Sequence, residues 1–253
     1  MMGSGKIIIL IVGMFYLMSC HVLTQERYVD GYDKDLQPLI TGDIAVKKAL
    51  EYTGFEKMKG FSIKDNLDVS EIVIIHNDNT PFLHEKINER KCWKVVMKDI
   101  YLHFYKSRDT TDTIPRLIET YIDAENGQLY KIEMKHDDSV CSLNPEPAHE
   151  TAEQTLRNHN EIYHDFVNTE VNISFYEAMG MGGPAILAGK ISAILVEHSY
   201  FRSENDISPA WVITYFGIPP SEAEKVEIKG RYHLRTVVNA NSNELILVTT
   251  NIP

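Results

Sequence analysis

The sequence predicts an α+β protein built of two tandem modules, each a helix packed on an antiparallel β-sheet. Three observations support this prediction: a helical pattern where the globular region starts, alternating apolar residues in the segments after it, and a second half that repeats the end of the first. The 253 residues are 43% hydrophobic and 24% charged, a globular composition with enough length for one or two cores. The formal net charge of -11 repels phosphate backbones, so nucleic acid is not an expected partner.

The N-terminus has the pattern of a secretory signal. One basic residue precedes an apolar run over residues 7–18, which as a helix would rise about 18 Å, less than the roughly 30 Å of a bilayer core. Residues 17–20 (L-M-S-C) resemble a bacterial lipobox, which implies cleavage before Cys20 and lipidation of that residue. We therefore expect a signal peptide at 1–19, a lipidated tether at 20–40, and a secreted protein of the bacterial cell envelope, lipid-anchored to a membrane. An ordinary signal peptide followed by an incidental cysteine is the alternative.

The two other cysteines, Cys92 and Cys141, form an even pair in an oxidising compartment. A disulfide between them would close a loop of about fifty residues and stabilise the fold by about 4 kcal/mol in the chain-entropy treatment. Two buried thiols are the alternative, because a free cysteine packs like a small apolar residue. The sequence leaves both open.

The first module is predicted over residues 41–136. Thr41 suits the N-cap of a helix that ends at Gly54. The apolar side of this helix is formed by Val46, Ala49, Leu50 and Thr53. Strand-like segments follow at 71–76, 92–105, 115–123 and 128–135.

The second module is predicted over residues 151–253, after a polar linker with two prolines at 137–150. It begins with two helical stretches, at 152–167 and at 184–198, where Pro184 suits a first helical turn. Its strand-like segments are 211–216, 224–229, 231–238 and 244–250.

The two halves end alike, which indicates an internal duplication. Each has a strand with a tryptophan at or near its start, Trp93 in the sequence C-W-K-V-V and Trp211 in A-W-V-I-T. Asp123 lies 30 residues after the first tryptophan, and Asn239 lies 28 residues after the second. Each tryptophan is expected in the core under its helix; an exposed anchor for a partner is the alternative.

The hairpin turns of the two halves use different residues for the same roles. Asp123 and Asn239 can each accept hydrogen bonds from backbone N–H groups two residues on, which closes the turn. Gly127 and Asn243 occupy the position where such turns need a left-handed residue, a conformation that glycine adopts freely and asparagine tolerates well.

The repeated unit resembles the PepSY domain. The residues that carry the resemblance are the helix G-D-I-A-V-K-K-A-L at 42–50, W-K-V-V from Trp93, and the hairpin Y-I-D-A-E-N-G-Q-L at 121–129. The resemblance implies a helix on an antiparallel sheet and a secreted, non-enzymatic module, for which peptidase inhibition has been proposed. It supplies no catalytic residue, and Trp93, Asp123 and Gly127 match its structural positions.

No motif in the sequence predicts catalysis, a metal or a cofactor. The densest polar cluster is His159, Glu161, His164 and Asp165, but its histidines are five residues apart, whereas zinc-binding helices space them by four. The segment G-G-P-A-I-L-A-G-K at 182–190 has five residues between its relevant glycines and isoleucine after the lysine, so it is not a P-loop.

The function expected from these patterns is binding of a protein or peptide partner. A secreted peptidase, inhibited or assisted in folding, is the particular partner that the resemblance implies. A carrier or sensor that holds a small ligand between the modules is the alternative. A hydrolase that uses the 159–165 region is the least favoured of the three, because so little positional chemistry is present.

Overall fold

The computed structural model describes residues 39–58, 60–75, 90–102, 115–136, 161–167, 170–180, 184–200, 207–219 and 232–251. The predicted linker at 137–150, the predicted strand at 224–229 and the N-terminal signal and tether through residue 38 lie outside these ranges.

The predicted first helix is confirmed as α1, Gly42–Thr53. Its buried residues recur at three- and four-residue intervals, which gives the helix one apolar face: Gly42, Ala45, Val46, Ala49, Leu50 and Thr53. The helix ends at Gly54, whose φ of 73° is left-handed and whose N–H donates to the carbonyl of Leu50. A short 3-10 turn, Phe55–Lys57, and a four-residue helix α2, Ile63–Asn66, lead to the sheet.

The first half contributes four antiparallel strands. They are β1, Leu67–Ile75; β2, Arg90–Ile100; β3, Arg116–Asp123; and β4, Leu129–His136. Each overlaps a strand predicted from the alternating pattern, although β2 ends at Ile100 rather than at the predicted residue 105. Tyr101 and Leu102 continue without strand structure, and residues 103–105 lie outside the described ranges.

The second half contributes five strands and one short helix. The strands are β5, Glu161–Phe166; β6, Lys190–Tyr200; β7, Ser208–Ile218; β8, Tyr232–Asn239; and β9, Leu245–Asn251. The helix α3, Phe175–Met179, begins with a capping box in which Ser174 and Glu177 exchange hydrogen bonds. Burial would raise the pKa of Glu177, but the hydrogen bonds from Ser174 outweigh it and lower that pKa.

The two helices predicted in the second half are wrong. Residues 190–200 form strand β6, and the described residues 161–166 of the other stretch form strand β5. The error at β6 has a physical cause: Ile191 and Leu195 enter the core under the helices while Ile194 is buried on the opposite face. A strand buried on both faces has a continuous apolar run, which periodicity does not distinguish from a buried helix.

The strands form one sheet in the order β1-β2-β3-β4-β6-β7-β8-β9, with β5 also paired to β6. The two halves meet where β4 pairs antiparallel with β6, from Ile132 opposite Ala193 to Lys135 opposite Lys190. One apolar cluster runs under α1 and α3 and includes both tryptophans. The coarse prediction of an α+β protein with an antiparallel sheet is therefore confirmed, and the sheet is continuous across the halves.

Candidate functional site

Trp93 and Trp211 are held in the same way. Both side chains are almost fully buried. The indole N–H of Trp93 donates to the carbonyl of Ile40 at 3.1 Å, and that of Trp211 donates to the carbonyl of Ile173 at 2.7 Å. Each accepting residue lies just before the helix of its own half, so each tryptophan ties a strand to the start of a helix.

The two hairpin turns have the same hydrogen bonds. The Oδ1 atom of Asp123 accepts from the backbone N–H groups of residues 125 and 126, and Oδ1 of Asn239 accepts from those of residues 241 and 242. Gly127 and Asn243 are left-handed, with φ of 77° and 59°. The structure therefore places all four predicted turn residues in turns.

A further correspondence lies six residues after each tryptophan. Asp99 has a φ of 55° and Gly217 a φ of 69°, and at each the pairing of its strand with the next one shifts register. These are β-bulges, which bend a strand and change its twist. Sequence reasoning missed this pair, because one aspartate and one glycine share no pattern until the strands are aligned on tryptophan.

Of the three cysteines, the structure describes one. Cys92 is buried in β2, whereas Cys20 and Cys141 lie outside the described residues. Lipidation of Cys20 and a disulfide between the other two therefore stay predictions.

The structure also describes only part of the polar cluster at 159–165. Glu161, His164 and Asp165 belong to strand β5, and His159 lies outside the described ranges. Within the described part of the chain, no three His, Cys, Asp or Glu side chains are grouped to hold a metal ion.

Arg116 anchors the junction between the two halves. Its guanidinium is fully buried at the start of β3 and donates to the carbonyls of Ile186 and Ala188, each at 2.8 Å. Because both acceptors lie about seventy residues away, just before β6, no local pattern signals this role. The residue eight positions before the turn alanine in the second half is Tyr232, so the corresponding position there is not an arginine.

The sheet face away from the helices carries ion pairs in its first half. Glu119 and Glu133 lie opposite each other on β3 and β4. Lys94 Nζ is 2.8 Å from a Glu119 carboxylate oxygen, and the lysines 131 and 190 lie 3.4 and 3.5 Å from Glu133. Burial would raise the pKa of Glu133, but these two cations outweigh it and hold that pKa below its ordinary value.

A polar cleft of about 410 Å³ lies beside α1 and the first turn. Its lining includes Lys48, Glu51, Tyr52, Gln128 and Glu170. Burial raises the pKa of Tyr52, so that side chain stays neutral and can donate a hydrogen bond. A cleft with so many charged groups differs from the apolar pockets that usually hold small ligands.

The two outer edges of the sheet, β1 and β9, differ sharply from the inner junction. Among the described strands, β1 pairs only with β2, and β9 only with β8. On β4, Leu129 is 2% exposed and Ile132 is fully buried. At the corresponding positions of β9, counted from the turn alanines 124 and 240, Leu245 is 37% and Val248 44% exposed. Residues 245–250 contain no charged side chain, so this edge lacks the charges that commonly protect edge strands.

The fold and this edge define an α+β protein with an apolar outer strand. No family model, curated protein or solved structure matches the chain. Among the described residues, no helix combines the length and the apolar character needed to cross a membrane.

Proposed function

We propose that this chain is a non-enzymatic lipoprotein of the cell envelope that binds an extended segment of a protein or peptide along strand β9. Exposed Leu245 and Val248 are the observation that carries this proposal. Their counterparts on β4, Leu129 and Ile132, are buried where helix α1 packs on that strand and β6 adjoins it. A strand added beside β9 would cover part of the exposed pair and gain main-chain hydrogen bonds.

The proposal includes two copies of one PepSY-like unit. The recurring tryptophan anchors, bulges and hairpin turns support a duplication, and the resemblance of the first copy supports the family. On this basis, the particular version of the function is inhibition or folding assistance of a secreted peptidase. An extended peptidase segment paired with β9 is the physical form that this version would take.

A defined peptide tests the proposal. The natural neighbour of β4 is β6, so the probe is a labelled peptide with the sequence of residues 189–197, and its binding to the purified full chain is followed by fluorescence anisotropy. We expect binding that falls at least tenfold in Val248→Lys, because a charge would be placed in the new strand pair.

The matched control is Ile207→Lys. Ile207 is 48% exposed, a fraction similar to the 44% of Val248. It precedes β7, however, which has strands on both sides. This variant should bind the peptide as the wild type does, and a scrambled peptide should not bind. Equal binding by the wild type and Val248→Lys, or no binding by the wild type, would overturn the proposal.

A further inference from the structure

We infer that the partner of β9 includes a second copy of this chain, whose strand β1 pairs antiparallel with it. This inference rests on the proposed function and names an occupant for the same edge. The two outer strands of the sheet would then belong to one interface between two molecules.

The chain contains a template for this interface. Strand β4 follows the first turn as β9 follows the second. Strand β6 pairs with the tryptophan strand of the second half as β1 pairs with that of the first: Leu195 lies opposite Trp211, and Ile72 opposite Trp93. The β4–β6 junction is therefore the pairing of one half's last strand with the next half's first strand. A β9–β1 pair between molecules would repeat that step.

The template fixes the register. Ile132 on β4 and Val248 on β9 each lie eight residues after the turn alanine. On β6, Ala193 lies opposite Ile213, two positions after Trp211. On β1, Ser70 lies opposite Val95, two positions after Trp93. Because Ile132 pairs with Ala193, the same register places Val248 opposite Ser70 of the second copy.

The charges at the two edges are compatible with this pairing. Residues 245–250 of β9 are uncharged, and each of the two carboxylates of β1 lies near a lysine of β2. Asp68 lies 2.8 Å from Lys98 Nζ, and Glu71 lies 3.9 Å from Lys94 Nζ. The whole chain carries a formal net charge of -11, so two copies repel one another at long range and salt should strengthen their association.

The proposed contact joins two different edges, so it is heterologous. Each added copy leaves one β1 and one β9 edge open, and association therefore extends beyond a dimer as concentration rises. A symmetric contact of β9 with β9 would stop at a dimer, which distinguishes the two arrangements.

The first test is sedimentation of the purified full chain over a range of concentrations and salt. We expect a mass that grows with concentration and with salt in the wild type and in Ile207→Lys, and a monomer in Val248→Lys. A wild type that stays monomeric, or a Val248→Lys variant that still associates, would overturn the inference.

The second test examines the register by disulfide crosslinking. Two variants, Val248→Cys and Ser70→Cys, are mixed under oxidising conditions, because opposed residues of an antiparallel pair have Cβ atoms about 4.5–5.5 Å apart. We expect crosslinked dimers in the mixture above the level given by either variant alone and by the wild type. Dimers from Val248→Cys alone at the same yield would indicate a β9–β9 contact and overturn the inference.

The outcomes separate this inference from the proposed function. A monomeric wild type that binds the peptide of residues 189–197 retains strand addition at β9 and removes only self-association. A wild type that neither binds that peptide nor associates removes both.

Discussion

The strands that follow the two hairpin turns, β4 and β9, have the same local framework but opposite exposure. Each follows a turn closed by an aspartate or asparagine, and each lies beside a strand paired with a tryptophan strand. Yet Ile132 is fully buried and Val248 is 44% exposed. The difference comes from the neighbours of each strand: β6 adjoins β4 and helix α1 packs on it, whereas no described strand adjoins β9 and no described helix makes a comparable contact with it.

The helices of the two halves differ in a related way. Helix α1 has 12 residues and contacts four strands, whereas α3 has 5 residues. Longer helices cover more of a sheet, so the first half has its core under its own helix. In the second half the ring of Phe175 on α3 lies against Trp211, with centroids 6.0 Å apart, and Phe55 after α1 packs edge to face on Phe175. The second half is thus partly covered by residues of the first.

The largest expected effect on stability comes from replacing either tryptophan by alanine. This change tests whether the two halves share one core. Trp93→Ala or Trp211→Ala should each cost about 3–5 kcal/mol, the usual loss for truncating a large buried aromatic residue. Since the chain has two tryptophans, each variant keeps one as a fluorescent reporter in the other half. In urea unfolding, the midpoint reported by Trp93 should fall in Trp211→Ala. An unchanged midpoint would mean that the halves unfold independently.

The next effect tests the contact between α1 and α3 at Gly54. Alanine there would be strained, because φ is 73°, and its Cβ would collide with the side chain of Ser174. Gly60 has a φ of 89°, and a methyl group added there would meet no described atom within 4 Å, so Gly60→Ala isolates the backbone strain. In chemical denaturation, we expect Gly60→Ala to lower the free energy of unfolding by about 1 kcal/mol and Gly54→Ala to lower it by at least twice as much.

A double variant sharpens the Gly54 prediction. Ser174→Gly makes room for the new methyl group but also removes the cap of α3, so by itself it should destabilise by a few tenths of a kcal/mol. Combined with Gly54→Ala it should recover part of the loss. Strict additivity of the two changes would contradict a direct collision.

The two turns predict small effects when their residues are exchanged. Gly127→Asn and Asn243→Gly should each change stability by less than about 1 kcal/mol, because both residues tolerate a left-handed backbone. A Cβ at residue 127 would meet Ile40 and Lys48 only at 3.8 and 3.9 Å, which is ordinary contact. Valine at either position should cost about 1–2 kcal/mol in thermal or urea unfolding. Equal costs for asparagine and valine at 127 would show that the turns differ after all.

The smallest expected effect is a pH dependence of stability that arises at Glu133, in the first half. Glu133 on β4 corresponds to the uncharged Thr249 on β9. The pKa of Glu133 is lowered in the folded state from its ordinary value of about 4.5. The ionised Glu133 therefore stabilises the fold above that ordinary pKa, and this stabilisation is lost as the pH falls through the folded-state pKa. Glu133→Gln should flatten this part of the stability profile. Identical acid profiles for the wild type and Glu133→Gln would contradict the lysine contacts.

Prediction from the sequence succeeded where the signal is local. The helix ending at Gly54, the strands around both tryptophans and the two turns could be predicted because caps, alternation and turn residues act within a few positions. Strand β6 was wrongly predicted as a helix because both of its faces are buried, which only its neighbours on either side of the sheet bring about. The role of Arg116 could not be predicted for the same reason, since its acceptors are distant in sequence.

The α+β class, the residues that close each turn and the acidic composition follow from the amino-acid order alone, because these depend on side-chain chemistry and short-range geometry. Only the assembled sheet shows that the halves are continuous through β4 and β6, and that Val248 is exposed while Ile132 is buried. Those outcomes depend on which strands and helices come to lie side by side, so strands at corresponding positions of the two halves can differ in burial.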